Sequence, residues 1–501
     1  MKKISVVDGI LFALLGVYPF IMSQGYINIL WGKYVFFLFT IIFAVAFFTI
    51  RGIARWFSAD ELINFAKIRE ILSKWNGIDK AVALFGVAST LSLILSTNRN
   101  MSFFGREDMY MGYLFTCMCI FLYVIVRTTD WNSDIVIIVI HLGLIVQVLL
   151  SALQFCGIDF FSMIEQILAS ARINYLSTWG NTCIFGIYLI FAGTVVLFTY
   201  CTTDKAYMRG LSGIGCVATY IGVLIANTDA TFLGLFFAIL GIMRYTSKDR
   251  KQICRFSHIL FYFVVAAVIL QLLFACFENH RPISGLGRIG MSWTLCIVML
   301  VGGLALLVFL KNEKVKEQTI RIISLAIWYF VLALVVIVVI AVVYFSVLNR
   351  ETELGRLGNY LRFSETWGTG RGYIWSMVME IYSDFSWSEK LFGIGQASMA
   401  PLLMGQYSAR MFEEIHYYFD NAHNVYLQYL ITIGLFGVVT YLAIIITLVG
   451  KLLKNEVDGL GIATGIALVA CGIMDVVSIL QPITMPLFWV FLAISAKMGK
   501  K

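Results

Sequence analysis

Apolar residues run along most of this chain in stretches of about 20, parted by short polar turns, and that is the length a helix needs to cross a hydrocarbon core roughly 30 Å thick. Fourteen such stretches can be laid out, centred near Leu14, Thr40, Ser89, Cys119, Leu144, Ile190, Gly222, Phe237, Ala266, Val301, Leu334, Val438, Leu468 and Phe488. One long segment breaks the rhythm. From about Val347 to Ala422, 76 residues, charged and aromatic positions are mixed with apolar ones. Within it "YIWSMVMEIYSDF" and "EKLFGIGQASMAPLLM" carry apolar residues at helical spacing, which predicts amphipathic helices lying on or dipping into the membrane interface. A disordered loop of that length would hold fewer aromatics and more Pro, Ser and Lys, so an ordered cap is expected. The expected fold is an all-α integral membrane protein with about 14 (range 12–14) transmembrane helices. It forms one polytopic domain over residues 1–501, with the large 347–422 loop of amphipathic helices ahead of the third-last span.

Composition agrees with the pattern. Hydrophobic residues make up 60% of the chain and charged ones 13%, with a mean hydropathy of +0.87, against about 25% charged in an ordinary soluble domain. The start, "MKKISVVDGILFALLGVYPFIM", has a basic end and an apolar run but no small-residue cleavage site, so it is expected to be a retained first helix. A net charge of +8 would suggest an acidic partner for a soluble protein, but here most Lys and Arg sit in short loops between spans. Topology accounts for them better than nucleic acid does. With the N-terminus inside, 25 of the 37 basic residues fall on the cytoplasmic side and 12 outside, six of those in the long segment. Both termini are therefore expected in the cytoplasm and the 347–422 segment outside.

Cys117, Cys119, Cys183, Cys216, Cys254, Cys276, Cys296 and Cys471 lie in or beside apolar runs without metal-ligand spacing and are expected to be small core residues. No Walker, dinucleotide, HExxH or EF-hand pattern occurs, and His141, His258 and His280 are scattered, so neither metal nor cofactor is expected.

The outer face holds the residues suited to chemistry. Arg371 follows "GTG" and precedes Trp375 by four positions. A helix beginning near Arg371 would add its first-turn amides to the guanidinium, which suits a phosphate or diphosphate; an arginine bonded to lipid headgroups, Glu365 or Glu380 is the alternative. His423 lies in "DNAHN", where a helix capped by Asp420 or Asn421 would put it in the first turn at the membrane surface. An unperturbed imidazole there can take and return a proton, or can simply mark the interface. Asp475 interrupts the thirteenth apolar run, and a carboxylate inside hydrocarbon costs roughly 2.5–3.5 kcal/mol, so it is expected to meet a buried cation or a cavity. Arg172, Asn181 and Asp229 are further polar residues on the same face.

In order along the chain, "GRGYIW", "LFGIG" and "DNAHNVYLQYLITIGLFGVVTYL" present Gly370, Arg371, Trp375, Leu391, Phe392, Gly393, Gly395, His423, Asn424, Gly434 and Gly437. This pattern resembles the C-terminal signature of the O-antigen ligase and Wzy-type O-antigen polymerase superfamily, the polytopic glycosyltransferases of bacterial membranes. It covers about a quarter of the chain; "SFFGREDMYMGYLF" and "STWGNTCIFGIYL" resemble the N-terminal half only loosely. The resemblance implies a GT-C-like architecture in the bacterial cytoplasmic membrane with its active face outside. It also implies an undecaprenyl diphosphate-linked oligosaccharide donor, a glycan acceptor, no metal, and a flippase and a chain-length regulator as partners. By the same resemblance Arg371 would bind the donor diphosphate and His423 would activate the acceptor hydroxyl or otherwise orient the reacting groups, with Asp420, Asn424, Trp375 and Asp475 in support. Members often carry another arginine where this chain reads "IANTDATFLGL"; Arg172, Arg288 and Arg362 stand as candidates for that second charge.

Attack on an anomeric carbon that already bears a diphosphate inverts the centre and asks the protein mainly for charge stabilisation and proton removal. The large cap favours a polymerase, which joins the donor to another lipid-linked unit; an O-antigen ligase or protein O-oligosaccharyltransferase would use the same donor. A transporter of lipid-linked oligosaccharides would instead show related halves, and no such repeat is visible.

Overall fold

Each of the fourteen apolar stretches is a helix in the computed structural model, which describes residues 4–58, 73–107, 109–454, 457 and 459–497. The first eleven are α1 (Val6–Phe20), α2 (Ile29–Ser58), α3 (Gly77–Leu95), α4 (Tyr113–Thr128), α5 (Ser133–Phe155), α6 (Thr182–Thr202), α7 (Ala206–Ala226), α8 (Asp229–Thr246), α9 (Arg250–Cys276), α10 (Trp293–Lys311) and α11 (Glu317–Val343). The cap contributes α12 (Trp367–Asp384), α13 (Trp387–Phe392) and α14 (Ser408–Ile415). The chain then returns through α15 (Val425–Thr432), α16 (Gly434–Leu453), α17 (Gly459–Met474) and α18 (Met485–Lys497). Among the described residues ten helices are long and apolar enough to cross a membrane, and α1, α4, α17 and α18 are shorter apolar helices. The protein is an all-α polytopic membrane protein; its one sheet among these residues is a small hairpin pairing Tyr175–Leu176 with Gly180–Asn181. Of the basic residues counted for sidedness, Lys2, Lys3, Lys67, Arg69, Lys500 and Lys501 lie outside the described residues.

The axis of the bundle is α6. It is apolar on every face, so it must be wrapped on every face, and every residue from Ile184 to Cys201 is buried. Helices α5, α7, α8 and α17 pack around it. Lipid is as apolar as these side chains, so close backbone approach does more here than water exclusion. A methyl group on Gly193 would come within 2.5 Å of Thr219 on α7, and one on Gly234 of α8 within 2.3 Å of Met474 at the end of α17. At the other extreme only Ile320 and Ser324 of α11 are buried, so its apolar surface is left for lipid.

The cap has a core of its own. Helix α12 turns Tyr373, Ile374, Met377, Val378 and Ile381 inward, the three-and-four spacing of an amphipathic helix. They meet Met399, Leu403, Met411, Phe419, Ala422 and Ile431. This cluster ties the cap to the chain on both sides of His423.

Two expected helices are broken, for one reason. "EKLFGIGQASMAPLLM" is not continuous: α13 stops at Phe392, and Gly393 (φ 75°) and Gly395 (φ 109°) take the left-handed region. The stretch after His423 is also split, with Gly434 at φ 72° between α15 and α16. These breaks lie against each other. A Cβ on Gly434 would sit 2.4 Å from the backbone of Leu391, and one on Gly393 2.4 Å from that of Thr432. The crossing is fastened by Ile394 N to Ile431 O (3.0 Å) and Gly395 N to Thr432 O (3.0 Å). Only glycine combines that conformation with that approach.

Candidate functional site

Arg371 is set by the turn before it. Gly368, Thr369 and Gly370 all have positive φ (60°, 61° and 88°), so the regular part of α12 begins at Arg371 itself. Thr369 bears a Cβ in that region, a strain of the kind found at ligand clamps. The turn folds under the side chain, and Arg371 Nη1 donates to Gly368 O at 2.7 Å. Its Nε is buried with no partner, and among the described residues the guanidinium makes no salt bridge. Burial draws its pKa down while Cys183 and Asp229 oppose the shift; an arginine remains a cation regardless. Cys183 belongs to the first turn of α6, capped by the Asn181 side chain (2.7 Å to Cys183 N), and Asp229 opens α8. The positive end of the central helix thus lies by the same arginine.

The Gly-Arg-x-x-x-Trp spacing acquires a physical sense here. Trp375, one turn beyond Arg371 on the same face, donates from Nε1 to Ala422 O at 3.0 Å, immediately before His423. A Cβ on Gly370 would lie 3.3 Å from the Phe419 ring, and that ring meets the His423 imidazole edge-on at 5.6 Å. One end of α12 therefore holds the histidine loop at two points.

His423 does not occupy a helical turn, contrary to the sequence expectation. The cap of α15 is Asn424, whose Oδ1 accepts from Tyr426 N (2.9 Å) and Leu427 N (3.1 Å), and not Asp420 or Asn421. Asn421 Oδ1 instead accepts from His423 N at 2.9 Å. Two asparagines, each closing a local turn, leave the residue between them in the left-handed region at φ 47°. Among the described residues the imidazole has no hydrogen-bond partner. Burial first, then the Arg371 charge, lower its pKa to about 4, with Asp420 opposing. The ring is neutral at working pH and can accept a proton.

On the other side of the loop Asp420 Oδ2 accepts from Arg106 Nη2 at 2.7 Å, and Asp420 Oδ1 from Asn421 Nδ2 at 2.7 Å. Burial would raise the Asp420 pKa, but the bonds from Arg106 and Asn421 and the Arg106 charge hold it below the usual carboxylate range. Asp475, just past α17, meets no cation among the described residues: Oδ2 accepts from Tyr441 OH (2.7 Å), it lines a small cavity with Tyr441 and Val425, and its carbonyl accepts from Val425 N (2.8 Å). It bears on the site by fastening the backbone two residues beyond His423.

The structure brings together Arg371, Trp375, Asp420, His423, Asn424 and Asp475. Among the described residues none of the three candidate second arginines makes a hydrogen bond or ion pair with them. Arg172 is exposed and bonded to Ile167 O and Glu165 O of its own loop; Arg362 donates to Thr352 O; Arg288 is exposed on a short helix, Gly285–Gly290, packed against Asn227. A second guanidinium reaches the loop of His423 at Asp420: Arg106, which sequence reasoning did not single out. Its only signal was its place in "SFFGREDMYMGYLF", a segment that the charge count expects on the outer side. Among the described residues no group of His, Cys, Asp and Glu has the arrangement of a metal site.

Residues 288–442 match the family described as O-antigen ligase. That stretch runs from Arg288 through α10, α11, the cap and the His423 loop into α16. No curated protein matches the chain.

Proposed function

Residues 288–442 tie this membrane protein to the O-antigen ligase and Wzy-type superfamily, and on that footing we propose that it polymerises the repeat units of a bacterial surface polysaccharide. The donor is a glycan on undecaprenyl diphosphate and the acceptor a sugar hydroxyl of another lipid-linked unit, at the outer face of the cytoplasmic membrane. The observation that carries the reading is the juxtaposition of Arg371, buried with Nε unpartnered, and a neutral His423 without a hydrogen-bond partner.

In the reaction His423 takes the proton from the acceptor hydroxyl as its oxygen bonds to the anomeric carbon. The bond from that carbon to the diphosphate oxygen breaks, and the negative charge gathering on the leaving group is met by Arg371 and the N-terminus of α6. A single displacement inverts the centre. Asp420 favours the imidazolium that forms, since its charge raises the histidine pKa. A cap with its own core, ordered beside these groups, supports a polymerase that holds two glycans at once.

Mass analysis of carrier lipids from a strain lacking the gene tests the reading. Single lipid-linked repeats are expected to accumulate. A ladder of long lipid-linked polymer would replace the polymerase with a ligase using the same donor.

A further inference from the structure

The last turn of the cap leaves three large rings uncovered. Helix α14 buries only Met411, and Phe412 beside it is 51% exposed. At His416 (φ 53°) the helix ends in the left-handed region and the chain doubles back. Phe419 is thereby buried, its N–H donating to Met411 Sδ at 3.5 Å, while Tyr417 and Tyr418 stay out, 59% and 47% exposed. The Tyr418 ring returns beside Phe412, centroids 5.9 Å apart and planes 15° from parallel. Tyr417 meets Phe419 edge-on at 5.0 Å, and Phe419 meets the His423 imidazole edge-on at 5.6 Å. No more than those two spacings separate Tyr417 from the candidate base.

Exposed aromatic rings on a membrane protein often mark the headgroup layer. Trp387 of α13 fits that role, exposed and with Lys390 Nζ 5.8 Å from its ring. The charges around α14 have the other sign. Arg410 is taken up by Glu380 (2.8 Å) and Glu414 (3.1 Å), Glu413 is exposed beside Phe412, and from Met411 to Asn424 the chain has no Lys or Arg. A helix lying on a membrane carries Lys and Arg on its polar face, and a diphosphate would meet the same carboxylates. A sugar suits both features: the C–H face of a pyranose is partly positive and rests on the negative face of an aromatic ring, and its hydroxyls donate to carboxylates. We propose that Phe412, Tyr417 and Tyr418 form a stacking platform for the acceptor glycan, holding sugars that follow the one whose hydroxyl reaches His423. Phe419 connects the platform to the residue assigned to the acceptor, and the proposal rests on the glycosyltransferase reading above.

Isothermal titration of the full-length protein in lipid nanodiscs tests the platform without turnover. The probe is the water-soluble glycan released by mild acid from the carrier lipids of the strain lacking the gene. The parent is expected to bind it. Tyr417→Leu and Tyr418→Leu stay apolar but lose the ring; each should weaken binding about three- to tenfold, with the melting temperature unchanged because both side chains are exposed. Tyr417→Phe keeps the ring and should bind within about twofold of the parent. No binding by the parent, or binding indifferent to both leucine variants, would overturn the platform. So would a membrane contact: in a cysteine-free background, a bimane on Tyr418→Cys should be insensitive to phosphatidylcholine brominated high on its acyl chains, and quenching would return the rings to the headgroup layer. The underlying reading fails separately: a parent that binds the glycan but transfers none from the lipid-linked donor would remove the glycosyltransferase, whereas normal transfer without glycan binding removes only the platform.

Discussion

At Arg371 the geometry asks for a planar fork. One Nη is committed to Gly368 O and Nε is held unpartnered, so Arg371→Lys keeps the charge but loses directed donors. It is expected to lose most transfer activity in a vesicle assay while the fold survives. His423→Ala should cost about 10²–10⁴-fold in turnover, the usual share of a general base, with donor binding retained. The pH profile is more diagnostic. A histidine must be unprotonated to act as base, and burial with Arg371 lowers its pKa from 6.5 to about 4. Activity per unit of free enzyme should thus hold as pH falls through 6.5 and decline only near 4. Asp420→Asn removes the charge that raises this pKa, so the acid limb should move lower still; an unmoved limb would detach Asp420 from the histidine. Arg371, Trp375 and His423 were legible in the sequence because one short helix and one loop carry them. Arg106 was not, because it meets Asp420 across 314 positions of chain, and no local spacing encodes that pairing.

Among elements, the crossing of Gly393 over Gly434 fixes how the cap turn meets the helix below His423. Gly434→Ala puts a methyl into Leu391 backbone at a positive φ, and it should destabilise by more than about 1 kcal/mol. Gly450→Ala, with nothing within 4 Å of the new carbon, should cost nothing. Thermal unfolding in nanodiscs compares the two. Trp375→Phe keeps the ring and removes the bond to Ala422 O, so it should lower turnover more than melting temperature. The break between α15 and α16 escaped the sequence because Ile431, Ile433, Leu435 and Phe436 keep the stretch apolar through it. Hydropathy measures what can enter a membrane, and it is blind to a backbone that turns there. The asparagines around His423 were visible, but which one closes which turn depends on the cap packed above them.

For the whole molecule, fourteen apolar stretches became fourteen helices because length and hydropathy are local properties. Their arrangement was not legible: nothing in "GLGIATGIALVACGIM" announces that it lies against α6. The proposed sidedness has a direct check. In a cysteine-free background, Cys at Ser408 should react with an impermeant thiol reagent on intact spheroplasts and Cys at Lys314 should not; the reverse result would turn the active face inward. The position of α17 matters also for how the protein is made. Helices α5, α7 and α8 lie close to α6 along the chain, but the wall that α17 gives α6, and the Asp475 carbonyl that fastens the His423 loop, follow that loop in the sequence. Trp375 and Phe419 can hold His423 as soon as its own loop is made, and the bond from Val425 N to the Asp475 carbonyl is added only when α17 has followed.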